Sequence, residues 1–365
     1  MSAPMLPIVK VRMPERTDLM PVLEDVLYGG MLAEGEQVYA FERRFAAQFG
    51  LRDVLGFSSG TGALHVALLS CGVEPGDEVV TTSMTAEPTN TTIIQVGAVP
   101  VFADVDPANG NLDPGAVDAT ITERTRAIVV VHYAGYPAPL TALREIADRR
   151  GVALIEDCAH ALGARDGGVP VGTVGDAAIF SFQAIKHMTT VDGGALVLRD
   201  PSRLRDARKL RWFGMEKGVP RTEVDIARAG YKYNMTNVAA TIGLSQLDSI
   251  DAAIARHIDN GRFFDRELAG IPGLSVASVA PGAEPSYWIY TLLSDDSDNV
   301  ERRLAEIGVA ASKLHRPNHF HSVFAPYRTP LPGLDAFYRR LVHIPCGWWV
   351  GDADRERIVT ALRKG

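Results

Sequence analysis

Ala177-Ala178-Ile179-Phe180-Ser181-Phe182-Gln183-Ala184-Ile185-Lys186-His187 carries an apolar run into a serine and, five residues after it, a lysine, with Gly193-Gly194 close behind. The run has the length and composition of a strand buried on both faces. A hydroxyl at its end and an amine beyond suit a site that holds a phosphate and presents a nucleophile. A lone lysine is far more often a solvated surface charge than a catalytic group, so the surrounding chain must supply the case.

Outward from this stretch, short apolar runs recur at Val54–Phe57, Glu78–Thr81, Val99–Ala103, Ala127–Val131, Ala153–Ile155 and Ala195–Leu198. Between them, helices are expected to start at Thr61, near Pro88, at Asp113-Pro114 and near Leu140. The Asp-Pro start places a proline just inside an aspartate cap. Such alternation predicts an α/β fold of three layers, a mostly parallel sheet with helices on both faces, which collects ligands at the carboxyl ends of its strands. Before it, Thr17–Leu27 and Gln37–Phe49 have apolar residues at helical spacing. After it come a basic helical stretch (Leu204–Trp212), a long helical stretch (Asn237–Leu268), strands at Tyr287–Leu293 and Val309–Lys313, and helices at Asn299–Ile307 and Asp352–Leu362. The expected division is a large domain over 1–249 with the N-terminal segment and a smaller C-terminal α+β domain over 250–365.

At 365 residues the chain exceeds the usual size of one domain, and 46% hydrophobic with 22% charged residues is the balance of a globular enzyme. A net charge of −7 gives no electrostatic reason to expect nucleic acid or an anionic membrane as partner. Cys71, Cys158 and Cys346 lie far apart, without the paired spacing of a zinc site or the number of a disulfide framework. No apolar run approaches the ~20 residues of a membrane span, and the first ten residues lack the pattern of a secretory leader. These features point to a cytoplasmic protein with no metal.

Three further pieces carry chemistry. Ser58-Ser59-Gly60-Thr61-Gly62 follows a strand and opens a helix, so backbone N–H groups, the helix dipole and hydroxyls can converge on an anion; alternatively it is only a small-residue turn with a cap. Reading Gly60-x-Gly62 as a dinucleotide fingerprint for a nicotinamide-dependent oxidoreductase puts His65 at the third glycine. Leu154-Ile155-Glu156-Asp157-Cys158-Ala159-His160 ends a strand in an acidic pair, whose carboxylate either caps the next turn or holds a ring nitrogen in its protonated form. A phosphate cradle, a strand-end aspartate and the Ser181–Lys186 spacing together are what pyridoxal phosphate requires.

The ordered set Ser59-Gly60-Thr61, Gly97-Ala98-x-Pro100-Val101-Phe102-x-Asp104-Val105-Asp106, Val131-His132-Tyr133-Ala134-Gly135, Glu156-Asp157-x-Ala159-His160, Phe180-Ser181-Phe182-x-x-x-Lys186 and Gly230-Tyr231-Lys232-Tyr233-Asn234-Met235 resembles the DegT/DnrJ/EryC1/StrS family of sugar aminotransferases, a branch of the fold-type I pyridoxal-phosphate enzymes. The resemblance runs through His343-Ile344-Pro345. It implies that Lys186 carries the Schiff base, that Asp157 pairs with the pyridinium nitrogen, and that His160 stands beside the cofactor's phenolic oxygen. Gly60, Thr61 and Ser181 are implied to hold the phosphate, and Asn234, with Lys232 as fallback, to reach a neighbouring subunit's phosphate in a homodimer with shared active sites. The implied activity moves an amino group from an amino acid, L-glutamate expected, to a keto-sugar, nucleotide-linked, in amino-sugar biosynthesis.

Two departures bear on that expectation. Met84-Thr85-Ala86-Glu87-Pro88 has no aromatic where relatives cover the cofactor ring. His187 follows the lysine, and relatives with histidine in the lysine's place are sugar dehydratases. A dehydratase and a cyclitol-ketone aminotransferase are therefore the alternatives on the same scaffold; a cofactor-binding regulatory protein without turnover is another. On the substrate side, Lys313-Leu314-His315-Arg316-Pro317-Asn318-His319-Phe320-His321 offers His315, Arg316 and Asn318 for phosphates or hydroxyls, unless it is an exposed polar loop. Arg211-Trp212-Phe213-Gly214 and Trp348-Trp349 offer stacking surfaces, unless they are buried.

Overall fold

The strand around Phe180 alternates sides with period two: Ala178 and Phe180 enter one apolar cluster, Ala177 and Ile179 the cluster on the opposite face. In the computed structural model, which describes residues 5–364, this strand is central to a seven-stranded sheet. Its members are β1 (Val54–Phe57), β2 (Glu78–Thr82), β3 (Val99–Ala103), β4 (Thr125–Val131), β5 (Ala153–Asp157), β6 (Ala177–Ser181) and β7 (Gly194–Leu198). They lie in the order β1-β7-β6-β5-β4-β2-β3, and all pairings are parallel except those of β7, which is antiparallel to both β1 and β6.

Helices α1 (Arg16–Tyr28), α2 (Glu36–Phe49), α3 (Gly60–Ser70), α4 (Glu87–Gln95), α5 (Pro114–Thr120) and α6 (Leu140–Arg150) precede or connect the strands. Asp113 caps α5 as expected, accepting from Ala116 N. On one face, Phe41 and Phe45 of α2 meet Phe182 and Phe180 edge-on at 5.4 Å each. On the other, Ala63, Val66 and Ala67 of α3 pack with Leu55, Phe57, Ile179 and Leu196. The α/β layering and nearly all expected elements are present.

The C-terminal part differs in three places. The long helical stretch is two helices, α8 (Asn237–Leu247) and α9 (Ile250–Leu268), because Ser249 leaves helical geometry at φ −135°, ψ 5°; α7 (Leu204–Arg211) precedes them. A second sheet consists of β8 (Leu274–Val276), β9 (Tyr290–Ser294) and β10 (Leu341–Ile344). The expected strand at Tyr287 starts only at Tyr290, since Tyr287 has a φ of 46° and its neighbours bond to the Ala134-Gly135 turn instead of a ladder. Val309–Lys313 makes isolated bridges, Val309 to Leu6 and Ser312 to His343, so it has no continuous partner and is not a strand. Helices α10 (Ser297–Glu306), α11 (Pro332–Arg340) and α12 (Asp352–Arg363) flank this sheet. The Leu6 bridge lays the first described residues against the C-terminal part.

Among the described residues, no helix is long and apolar enough to cross a membrane. All three cysteines are buried and free.

Candidate active site

The turn after β1 opens α3 with a capped first turn. Ser59 is extended and caps α3, its Oγ accepting from Gly62 N at 3.0 Å. The N–H groups of Gly60 and Thr61 have no carbonyl one turn earlier in the helix, as in any first turn. The cradle is tight against two other strands: a Cβ on Gly60 would lie 3.0 Å from Ser181 Cβ, and one on Gly194 only 2.5 Å from Gly60 N. The end of β1 is pinned from behind. Glu42 accepts from Gly56 N at 2.7 Å, and buried Arg211 donates to Gly56 O (2.6 Å), Glu42 (2.8 Å) and Glu34 (2.7 Å).

At the end of β5 the two acids divide their work. Glu156 is fully buried and structural, accepting from Gly172 N, Val174 N and Gly175 N at 2.6–2.9 Å with His132 Nε2 at 3.2 Å. Asp157 faces a cavity, with Thr89 Oγ1 donating to its Oδ2 at 2.9 Å and Ala159 N to its Oδ1 at 3.1 Å. Burial raises its pKa, while these two donors and the charge of Lys186 pull the other way.

The cavity measures about 380 Å³. Gly60, Thr61, Asp157, His160, Ser181, Lys186 and His315 all line it, so seven residues singled out from sequence meet at one place. Burial lowers the Lys186 amine to about 7, against a smaller opposing pull from Asp157. Its Nζ lies 4.0 Å from the centroid of the Trp288 ring. That ring in turn stacks on His160 at 4.1 Å and 18°. His160 and His315 are parallel at 5.4 Å, each with a buried Nδ1 that has no hydrogen-bond partner, and burial holds both well toward the neutral form.

This geometry has known counterparts. The family model for the DegT/DnrJ/EryC1/StrS aminotransferases matches residues 15–363. The chain belongs to that family. It is 39% identical over 296 residues, 80% of this chain and 78% of the relative, to the dTDP-3-amino-3,4,6-trideoxy-alpha-D-glucose transaminase of Micromonospora megalomicea subsp. nigra. Among solved structures it resembles the sugar aminotransferase CalS13 from Micromonospora echinospora, with TM-score 0.95 and 39% identity over 99% of this chain and 100% of that one. It also resembles S. venezuelae DesV in complex with a ketimine intermediate, with TM-score 0.89 and 30% identity over 98% of both chains.

The DegT/DnrJ/EryC1/StrS aminotransferases depend on pyridoxal phosphate, and this chain's residues fit that cofactor: an N–H and hydroxyl cradle that a Cβ at Gly194 would fill, a buried carboxylate facing the cavity, a buried amine, and an unpartnered His160 Nδ1 beside them. The register at the lysine is also clear. His187 turns away from the cavity, its Nε2 bonded to Ser286 O at 3.0 Å and its ring 4.6 Å from His257. The dinucleotide reading of Gly60-x-Gly62 is overturned by family membership, and His65 fills its third-glycine position with a ring bonded to Tyr233 OH at 3.0 Å.

Three candidate residues of this aminotransferase lie outside the cavity lining. Asn234 is buried beside the end of β1, bridged to Phe57, with its Oδ1 accepting from Lys232 Nζ at 2.6 Å. Asn318 is buried as a brace: its Nδ2 donates to Thr85 O at 2.8 Å, and its Oδ1 accepts from Asn90 Nδ2 at 2.9 Å. Arg316 is exposed, 5.7 Å from the Phe320 ring. Trp349 donates to Pro7 O and Trp348 packs near Lys10, so this pair ties down the N-terminal segment. Thr85, Ala86, Glu87, Pro88 and Thr89 do line the cavity, and Glu87 sits 3.5 Å from His321 Nε2. The sequence reading missed Thr89 and Trp288. Thr89 lies one residue beyond the Met84–Pro88 segment quoted for the cofactor ring; nothing local marked Trp288, whose place is set by the distant Ala134-Gly135 turn.

Proposed function

We propose that this aminotransferase moves the amino group of an amino acid, L-glutamate as expected donor, to the carbonyl of a nucleotide-linked keto-sugar, a thymidine diphosphate sugar by the likeness to the Micromonospora transaminase. The observation that carries the reading is the buried Lys186 amine set in one cavity with Asp157 and the Ser59–Gly62 cradle. Pyridoxal phosphate, when bound, supplies the carbonyl that receives the nitrogen and a ring that takes up the electron pair of the deprotonated carbon.

The side chains supply the rest. Lys186, its amine near neutrality at physiological pH, takes a proton at Nζ and returns it. Asp157, oriented by Thr89 and Ala159, would keep the ring nitrogen protonated. Gly60, Thr61 and Ser181 would hold the phosphate, and His160 would stand at the ring's edge. Leu64, Val131, Ile179 and Trp288 give the cavity apolar walls that exclude water. His315 is the best-placed substrate contact, Arg316 would act from outside the cavity, and Asn318 holds the Thr85–Asn90 wall from behind.

Lys186, not His187, faces the cavity, which favours transamination over the dehydratase alternative. A homodimer is part of the reading, with Asn234 reaching the partner's phosphate. It is supported by the exposed apolar run of Tyr28 (85%), Met31 (61%) and Leu32 (47%), and sedimentation of the purified protein checks it. Free buried cysteines favour a cytoplasmic setting. A division into 1–249 and 250–365 is also part of the reading, with its boundary at the break between α8 and α9.

Incubation with glutamate and a panel of thymidine-diphosphate keto-sugars, read by product mass and regiochemistry, tests the proposal. An amino-sugar nucleotide with matching 2-oxoglutarate supports it. A deoxygenated sugar without nitrogen identifies a dehydratase, and amination of a cyclitol ketone alone identifies the other acceptor class.

A further inference from the structure

Both chain neighbours of Lys186 grip the segment that carries Trp288. Trp288 Nε1 donates to Ile185 O at 2.8 Å, and His187 Nε2 bonds to Ser286 O at 3.0 Å. Between those two anchors the Lys186 amine comes to rest 4.0 Å above the Trp288 ring. The amine and the ring are therefore positioned as one unit, although they lie about a hundred residues apart in sequence.

Several other contacts hold the ring in that place. His160 stacks nearly parallel to it. Ser286 N donates to Gly135 O at 3.0 Å, and Gly135, at φ 94°, is needed there because a Cβ would lie 2.6 Å from Trp288 N. Tyr287 is kept at its left-handed φ of 46° by Asp265, which accepts from its hydroxyl at 2.5 Å, and by His257 at its carbonyl. A non-glycine residue in that region costs of order 1–3 kcal/mol and persists only when its surroundings enforce it.

We propose that Trp288 is a positioning residue for Lys186: its ring face is the berth of the lysine amine whenever that amine is free and protonated, so that the ammonium waits at a fixed point in the cavity. The π face, 4.0 Å from Nζ, supplies an attraction for the ammonium. The other groups acting on the amine are Asp157 at the end of β5, which favours the ammonium, and His160, His315 and His187, which burial keeps neutral. Glu87 and Asp192 also line the cavity. The inference rests on Lys186 being the cofactor lysine.

The test uses the full-length protein with ¹³C-labelled lysine, cofactor-free and loaded with pyridoxamine phosphate, followed by NMR through a pH titration. Lys186→Arg assigns the resonance. In the wild type the Lys186 ε-methylene signals should be moved upfield by the ring current. Trp288→Leu should abolish that shift and lower the titration midpoint by about one pH unit, whereas Trp288→Phe should restore part of both. An unshifted wild-type signal, or a midpoint equal in all three proteins even if turnover falls, would overturn the proposal and leave Trp288 a packing residue. The cofactor-free spectra keep this outcome separate from a failure of the transaminase reading, which would show as absent pyridoxamine phosphate binding or absent amination.

Discussion

Thr89 donates its hydroxyl to Asp157, with Oγ1 2.9 Å from Oδ2 and both side chains buried. The strand-end carboxylate is thus aimed by a residue from α4, across the sheet's carboxyl edge. Thr89→Val keeps the shape and removes the donor, leaving Asp157 with Ala159 N alone. Losing one charge-assisted hydrogen bond in a buried place should weaken pyridoxal phosphate binding about tenfold. Absorbance titration checks this, and an unchanged dissociation constant would show that Thr89 does not orient the carboxylate.

Lys186 makes the stability of the cofactor-free protein depend on pH. Its folded pKa, about 7, is depressed from 10.5. The folded state therefore favours the neutral amine, so its contribution is fully present above 10.5 and is lost as pH falls through the window down to about 7. Lys186→Met removes the titration. At pH 7 the variant should gain on the order of a few kcal/mol relative to wild type, with the difference shrinking toward pH 10. Urea melts of the two cofactor-free proteins across that range are the measurement, and a constant difference would contradict it.

Gly194 packs from the neighbouring strand under the turn proposed to hold the phosphate. A Cβ there would stand 2.5 Å from Gly60 N and from Ser59 C, backbone atoms that cannot rotate away. Gly194→Ala should cost about 1–3 kcal/mol in denaturant melts and should also reduce cofactor affinity, because the displaced atoms belong to the anion-facing turn. A loss of stability with cofactor affinity intact would place the cradle elsewhere.

Arg211 joins Glu34 and Glu42 in a buried network that also holds Gly56 O. Arg211→Met leaves two buried carboxylates without that partner, and truncating one member of such a pair costs about 3–5 kcal/mol. Thermal or urea unfolding should show that loss. A shift under 1 kcal/mol in urea would mean that water reaches the glutamates.

Much of this was legible in the chain because it depends on local pattern. The continuous apolar run at Ala177–Phe180 and the turn-to-helix step at Ser59–Gly62 are local signals, and both elements lie where they were expected. The residues read less well are those whose places are set by distant contacts. Trp288 read as part of a strand from Tyr287, yet the left-handed Tyr287 and the Gly135 turn remove it from the ladder and direct it under Lys186. Asn318 read as a polar group free to bind substrate, but its amide is used to fasten Thr85 and Asn90. Arg211, flagged for stacking, is a buried structural cation instead.

Lys186 is the residue placed to make the covalent link to pyridoxal phosphate. Borohydride reduction of the holoenzyme, followed by proteolysis and peptide mass spectrometry, tests it most directly. The reduced phosphopyridoxyl group should be found on Lys186, and none on that peptide in Lys186→Ala. A label on another lysine, or none in a wild type that still aminates its sugar, would contradict it.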